Sequence, residues 1–540
     1  MKSIQNILFF ALFLGSAFFL TAPCWGQDNV LELLDGADEM RLDGQGNYIV
    51  NGNVVFQKGN AKLYCDSAFY NIITKEIRAY KNVHINKQDT LNLFCDSLFF
   101  DSEKDYAKLW GNVRVRDNEF KLTTDSLDYN IQKDEGVYTN YGKIVSITGS
   151  EQLESQIGYF YPKKEQFNFR KDVIYKSNDY TVKTDTLQFN GRSKKAYFFG
   201  PTSITGNEST MFCESGWYHL DDDVGVLQQN ARIDRTDISI AGDSLYYSSV
   251  DSLYIGQGNV VIEDTSNQLG FSGDYAKNDD KQERSFITGH ALGKRYGEED
   301  TLYIHADTLF NTTDSTGAAK MMQAYHHVEI YRGELQGICD SLIYNRKDGV
   351  MNLFKNPILW AKNAQLSGDT ITVYSKDEQI RRAFLRDKGI VVTHVKRTNY
   401  YNQVAGKTMN AYFDSSKIKQ LDIESNAKTI YFLEDESEND STIIVERKGM
   451  NRIYSADISI YFQDGDIRSA TYRSEPDGVL YPMNQIKKDE ERVSHFQWKH
   501  QLRPPSVDFM ILNENTKNQW RAILGLQLEL TGIIHPSGSQ

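Results

Sequence analysis

Apolar and polar residues alternate along most of the chain, and the alternation breaks at regular intervals in the same way. Leu93, Cys95, Leu98 and Phe100 form one apolar series whose parity switches across Asp96-Ser97. Leu122, Thr124, Leu127 and Tyr129 obey the same rule, as do Val182, Thr184, Leu187, Phe189 and Gly337, Cys339, Leu342, Tyr344. Alternation predicts a β-strand with one buried face. The switch in parity predicts an inserted residue, a bulge or tight corner, where a small residue avoids crowding and Asp or Ser can hydrogen-bond the local backbone.

The interrupted strand is a repeat. Leu63-Tyr64-Cys65-Asp66-Ser67-Ala68-Phe69-Tyr70 returns as Leu93-Phe94-Cys95-Asp96-Ser97-Leu98-Phe99-Phe100 and as Leu122-Thr123-Thr124-Asp125-Ser126-Leu127-Asp128-Tyr129. Taking the acidic residue or its replacement as marker, further copies fall at Gln156, Asp185, Glu214, Asp243, Asp274, Asp307, Asp340 and Asp369, eleven in all, spaced by 29 to 33 residues. A second refrain, Gly52-Asn53-Val54, lies midway between them. It returns as Asn82-Val83, Gly111-Asn112-Val113 and Gly258-Asn259-Val260, and in altered form as Asp172-Val173, Asn230-Ala231, His327-Val328 and Asn356-Pro357. It predicts a turn followed by a second strand, with its own alternation in Val113, Val115 and Val260, Ile262. The predicted architecture is all-β, an elongated array of stacked strands with about 30 residues per repeat.

A repeat array grows along one axis, so 540 residues do not imply several compact domains. Ile7 to Leu20 is apolar, follows Lys2 and ends at Cys24-Trp25-Gly26, which places small residues before a cleavage at Gln27; residues 1–26 read as a secretory signal peptide. Pro23 stands where a lipoprotein signal wants Gly, Ala or Ser. The array is expected over 27–433. The acidic run Glu434 to Ser441 reads as a loop-like break, and 434–480 as a linker with one degenerate copy at Ser455 to Phe462. Residues 481–540 read as a capping or docking segment, in which Asn484 to Gln501 is compatible with a helix that Arg503-Pro504-Pro505 would stop.

Composition narrows the function. A formal net charge of −13 argues against an electrostatic grip on nucleic acid or on an anionic membrane. Cys65, Cys95, Cys213 and Cys339 share the slot before the marker, where the other copies carry Thr, Ser, Gly or Ala, so they read as small hydrophobes. Cys65 and Cys95 sit in consecutive repeats, a placement that leaves a disulfide open in an oxidising compartment. The Asp markers lack the Gly-rich oxygen-ligand loop of calcium repeats and read as structural. His326-His327 has no partner at metal-ligand spacing and reads as a turn. Gly406-Lys407-Thr408 resembles the end of a phosphate loop, but Tyr401 stands where that motif requires Gly. No cofactor, no metal and no catalytic constellation are expected.

The Gly-Asn-Val strand, the small-Asp-Ser/Thr-apolar-x-aromatic strand, the 30-residue spacing and the secretory signal together resemble the OstA-like family of lipopolysaccharide-transport proteins, over about residues 45 to 425. The resemblance implies an open, twisted β-jelly roll whose groove carries lipid A. It also implies edge-to-edge joining with neighbouring lipopolysaccharide-transport proteins or with another copy of itself. The array is longer than a single bridge-protein domain, and residues 481–540 are too few for an outer-membrane barrel. The expectation is a non-enzymatic periplasmic lipid conduit, possible association with the outer membrane included, that serves a separate outer-membrane barrel. Leu63, Leu93, Leu98, Leu122, Leu127, Val182, Leu187, Leu245, Leu309, Leu342 and Ile371 are expected to line its trough, because burying each CH2 of an acyl chain is worth about 0.8 kcal/mol. The competing expectation is an extracellular parallel β-helix, an adhesin or a polysaccharide-active enzyme, using outward aromatics such as Tyr246 and Trp217.

Overall fold

A computed structural model describes residues 32–522, except 35, 88–90, 117–119, 131–132, 134, 162–163, 208, 220, 249, 299, 315–318, 377–378, 396–397, 415–416, 440–441, 464–465 and 513–514. The signal-peptide expectation lies outside the described residues. The chain divides into two compact units, Met1–Gln257 and Gly258–Gln540.

Unit 1 is a meander. The strands Asn47–Lys58, Ala61–Asn71, Glu76–Lys87, Leu91–Asp101, Tyr106–Arg116 and Phe120–Asn130 follow one another, each antiparallel to the next. Every strand pairing among the described residues is antiparallel, which overturns the parallel β-helix alternative. All these strands bend at mid-length. Asn51 faces Ser67 and Val54 faces Cys65, so Gly52 and Asn53 together stand opposite Asp66. The same shift recurs between Phe94/Ser97 and Trp110/Val113. The Gly-Asn refrain is therefore a corner inside a strand, where the sequence predicted a turn between strands. The chain reverses elsewhere, for example between Lys58 and Ala61 and between Asn71 and Glu76.

The corner explains which residues occupy it. Both of its residues lie in the left-handed region: Gly111 has φ 77° and Asn112 φ 50°. Gly enters that region without penalty, and Asn, Asp and His enter it more readily than other side chains. The altered copies are the same conformation with other permitted residues, including Lys171-Asp172, Gln229-Asn230, Gly289-His290, His326-His327 and Ser425-Asn426. A Cβ added to Gly111 would also lie 2.5 Å from the Asp96 carboxylate.

Each bent strand presents two limbs, and the apolar core fills the wedge between them. Val50 and Ala68 on one limb and Val54 and Phe56 on the other belong to one buried cluster in unit 1. The rings of Phe56 and Tyr70 lie 6.2 Å apart across it. Unit 2 repeats the plan from Leu269–Asp279 through Arg284–Tyr296, Thr301–Thr313, Ala319–Arg332 and Leu335–Asn345, with its own cluster inside the bend.

The repeat continues beyond Gly389. Lys407 of Gly406-Lys407-Thr408 lies at the marker position of Tyr401–Asp414, opposite the corner Asp387-Lys388, so the fragment that resembles a phosphate loop is a charge-reversed copy of the repeat. The acidic stretch expected as a break is strand: Lys417–Asn439 runs through it and pairs with Thr442–Gln463 in a hairpin. Ser425 N donates to Asp457 Oδ1 at 3.1 Å, making Asp457 the marker of the degenerate copy. At the other end, Asp38 accepts from Asn53 Nδ2 at 3.4 Å, the earliest marker in the chain and one that the sequence pattern had concealed.

Candidate functional site: the apolar wedge and its mouth

The two refrains meet side chain to side chain at the corners. Asn82 Nδ2 donates to Asp66 at 2.9 Å, Asn112 to Asp96 at 2.8 Å and Asn230 to Glu214 at 2.9 Å. In unit 2, histidines and lysines take over. His290 pairs with Asp274 at 3.0 Å, His327 with Asp307 at 3.1 Å, His326 and Lys355 with Asp340, and Lys388 with Asp369 at 3.3 Å. Hydrogen bonds from Lys355 and Ser341 hold the Asp340 carboxyl well below the usual range. These pairs are exposed, so each adds modestly to stability, and their regular recurrence fixes the bend.

The inward face lies on the other side of the corner. Leu93, Leu98, Leu122, Leu127, Val182, Leu187, Leu245, Leu309, Leu342 and Ile371 are all buried. Leu63 is half-buried against the same core. Ten of the eleven residues are thus buried and Leu63 is partly exposed.

The four described cysteines are free and buried. Val83 lies opposite Cys95 on one side and next to the Tyr64–His84 pair on the other, so a whole strand separates Cys65 from Cys95. With neighbouring strands about 4.8 Å apart, that intervening strand puts the two thiols beyond disulfide reach. Burial pushes both thiols up to about 12, with the adjacent markers Asp66 and Asp96 adding to the effect.

In unit 2 a shallow cleft marks the wedge. It is lined by Leu269, Phe271, Leu302, Ile304, Met321 and Met322, with Lys294, Arg295, Tyr344 and Arg346 around them. Two contacts span it from limb to limb. Arg295 Nη1 donates to the Tyr344 hydroxyl at 2.7 Å, and Arg346 Nη2 donates to the Asn267 carbonyl at 3.3 Å. Lys294 lies 3.7 Å from Glu263, whose other oxygen accepts from Tyr296 at 2.8 Å. Sequence reasoning missed these residues, although one signal was present: Ala291, Gly293 and Arg295 continue a single inward alternation that ends on a cation.

The outer face of one limb in unit 2 is covered by residues 483–521. Gln365 Nε2 donates to the Gln497 carbonyl at 2.7 Å while its Oε1 accepts from Lys499 N at 2.8 Å. Gln403 repeats the grip on the Glu491 carbonyl at 2.8 Å and Val493 N at 2.9 Å. Arg503 Nε donates to Gln336 Oε1 and its Nη1 to the Lys362 carbonyl, each at 2.7 Å. Lys517 Nζ donates to Glu329 at 3.0 Å, with both side chains almost fully buried. The segment compatible with a helix, Asn484 to Gln501, contains only single 3-10 turns near its two ends, with isolated turns closed by Glu490 N to the Lys487 carbonyl and Phe496 N to the Val493 carbonyl between them; the grip of Gln365 and Gln403 uses its backbone groups and so competes with helix formation. Among the described residues no helix is long and apolar enough to cross a membrane, and no three His, Cys, Asp or Glu side chains are grouped to hold a metal ion.

The chain is thus an all-β repeat protein of bent antiparallel strands wrapped around an apolar wedge. Residues 29–185 match the family described as OstA-like protein, as the repeat motifs anticipated. No curated protein matches the chain. Among solved structures it is similar to LptH from Pseudomonas aeruginosa, described as the LptA-homologous periplasmic component of the conserved lipopolysaccharide transport device. The two are 14% identical, the match covers 27% of this chain and 95% of that one, and the TM-score is 0.21.

Proposed function

We propose that this protein is a non-enzymatic lipopolysaccharide-binding conduit of the periplasm. In this reading it works beside other lipopolysaccharide-transport proteins and a separate outer-membrane barrel, and its open strand edges join such neighbours or another copy. The observation that carries the reading is the apolar wedge that opens between the limbs at Phe271 and Met322, taken with the OstA-like match over residues 29–185. Leu342 is buried in the cluster against which Phe271 and Met322 pack, and Leu98, Leu187 and the half-buried Leu63 belong to the corresponding cluster of unit 1. Acyl chains inserted between the limbs would exchange water for this face, at about 25 cal/mol per Å² of apolar surface removed from water.

The test is photo-crosslinking in a Gram-negative envelope, with the reactive residue placed at Leu63, Phe271 or Met322 and, as outward controls, at Phe99 or Gln188. Lipopolysaccharide adducts at the inward positions alone are expected. Absence of any lipid adduct there would overturn the proposal and leave the wedge as a packed core.

A further inference from the structure

We infer that residues 506–521 are an acid-released latch on the outer face of unit 2, and that its release loosens the strands that carry the apolar cleft on their inner face. The inference rests on the conduit reading for its consequence and names the regulation of that site.

The latch and the cleft share two strands, whose side chains alternate between the two faces. Thr301–Thr313 turns His305 outward and Leu302 and Ile304 inward, where both line the cleft. Ala319–Arg332 turns Glu329 outward and Ile330 into the core cluster of unit 2. The latch closes on the outward pair. Phe509 and Met510 are buried, Lys517 and Arg521 lie 3.0 and 3.5 Å from the two oxygens of Glu329, and the Arg521 guanidinium stands 5.7 Å from the centre of the Phe509 ring. Upstream, the segment is gripped by Gln365, Gln403 and Arg503 through contacts of their own, so the chain beyond Pro505 can leave while the rest stays seated.

His305 makes this contact answer to acid. It stands directly opposite Glu329 on one neighbouring strand and opposite the uncharged Leu292 on the other. Lys517 is the cation that faces it from the latch, with Arg521 on the far oxygen of Glu329. Asp307 and His290 face it from the corner, and its Nδ1 is fixed on the Ala291 carbonyl. A neutral His305 leaves the Glu329 carboxylate to the latch. A protonated His305 sets a like charge beside Lys517 in a buried place and offers Glu329 a counter-charge from within the sheet, so the ion pair that seats the latch is weakened on both sides. Burial, reinforced by Lys517, lowers the imidazole from 6.5 to about 4, the sign of a base whose neutral form keeps the latch closed. Once the latch leaves, water reaches the outer face of both strands and their local opening becomes easier.

The test is hydrogen exchange of the full chain at pH 7.5 and pH 5, corrected for intrinsic rates and read by mass spectrometry. Phe509 N bonds to Ser506 Oγ and Leu512 N to the Phe509 carbonyl, so residues 506–512 report the seated latch. Their protection should fall roughly thirtyfold between the two pH values, the factor implied by a shift from 6.5 to about 4, while Tyr180–Asn190 of unit 1 keeps its own. His305→Gln, whose amide can still donate to the Ala291 carbonyl, should stay latched at both, and Glu329→Gln should be weakly protected at both. Protection that persists in the wild type at pH 5, or a fall of equal size in His305→Gln, would overturn the inference. Unfolding curves at pH 7.5 establish that each variant is folded. Photo-crosslinking from Phe271 or Met322 reads the consequence: the yield of lipopolysaccharide adducts should rise at pH 5 in the wild type and not in His305→Gln. Adducts of equal yield in all four samples leave the conduit standing and remove its regulation; no adduct in any of them removes the conduit and the regulation with it.

Discussion

The side-chain amide of Asn112 donates to the carboxylate of Asp96 at 2.8 Å, joining residues from adjacent strands at the corner where both bend. Two refrains that look independent in the sequence are the two halves of this contact. Its repetition at Asp66–Asn82 and Glu214–Asn230 shows why the acid and the amide keep a spacing of 16 residues.

The corner contact predicts an ordered mutational series. Asn112→Val places a β-branched residue at φ 50° and removes the bond to Asp96, and should destabilise unit 1 by about 2 kcal/mol. Asn112→Gly loses the bond but keeps the backbone relaxed and should cost well under half as much. Urea midpoints for the two variants check the order; equal losses would mean that the hydrogen bond, and not the left-handed backbone, governs the position.

The buried Lys517–Glu329 pair predicts how the C-terminal segment detaches. Arg521 lies 3.5 Å from the second oxygen of Glu329, so the carboxylate sits between two cations. Lys517→Met leaves a poorly compensated buried charge and should cost about 3 kcal/mol. Limited proteolysis should then cut between residues 483 and 521 well before it attacks the sheet. Combining Lys517→Met with Glu329→Leu should restore most of the protection, because an apolar pair of similar volume carries no desolvation penalty.

His305 predicts an acid response at the same place. It is buried, its Nδ1 donates to the Ala291 carbonyl at 2.9 Å, and burial together with Lys517 lowers it from 6.5 to about 4. A base with a depressed folded-state value contributes stability that is complete above 6.5 and is lost as pH falls toward 4. The hydrogen-exchange protection factors of Thr301–Thr313 should therefore fall as pH drops across that window, and His305→Gln should flatten the dependence.

The cysteines predict an alkaline response of opposite sense. Cys65, Cys95 and Cys339 are raised from 9.0 to about 12, and Cys213 to about 11, chiefly by burial. Stability that depends on their neutral thiols is complete below pH 9 and lost as pH rises through these folded values. A thiol reagent at pH 8 should leave all four unmodified in the native protein and label them in denaturant, with no disulfide between Cys65 and Cys95 by mass spectrometry.

Much of the fold was legible because its causes are local. Strand alternation gave the inward residues, and ten of the eleven named positions are buried. The corner was visible as a parity switch, but its assignment to a turn failed because two left-handed residues can either reverse a chain or bend a strand; only hydrogen bonding to both neighbouring strands distinguishes the outcomes. Lys407 and Asp38 escaped notice because one carries the opposite charge and the other precedes any full strand. The run from Glu434 looked like a loop because its acidity suggests solvent exposure, whereas a strand can satisfy its backbone by pairing and still carry charge.

The sequence by itself determined the repeat, the two-faced strands, the small residue beside each marker and the left-handed corner, since each depends on residues a few positions apart or on backbone preference. Tertiary structure alone decided where the wedge opens and what closes over its outer face. Arg295 meets Tyr344 from 49 residues away, and Gln365 meets Lys499 from 134. No local pattern encodes such meetings, because they follow from how many strands lie between two residues and how the limbs fold back on one another.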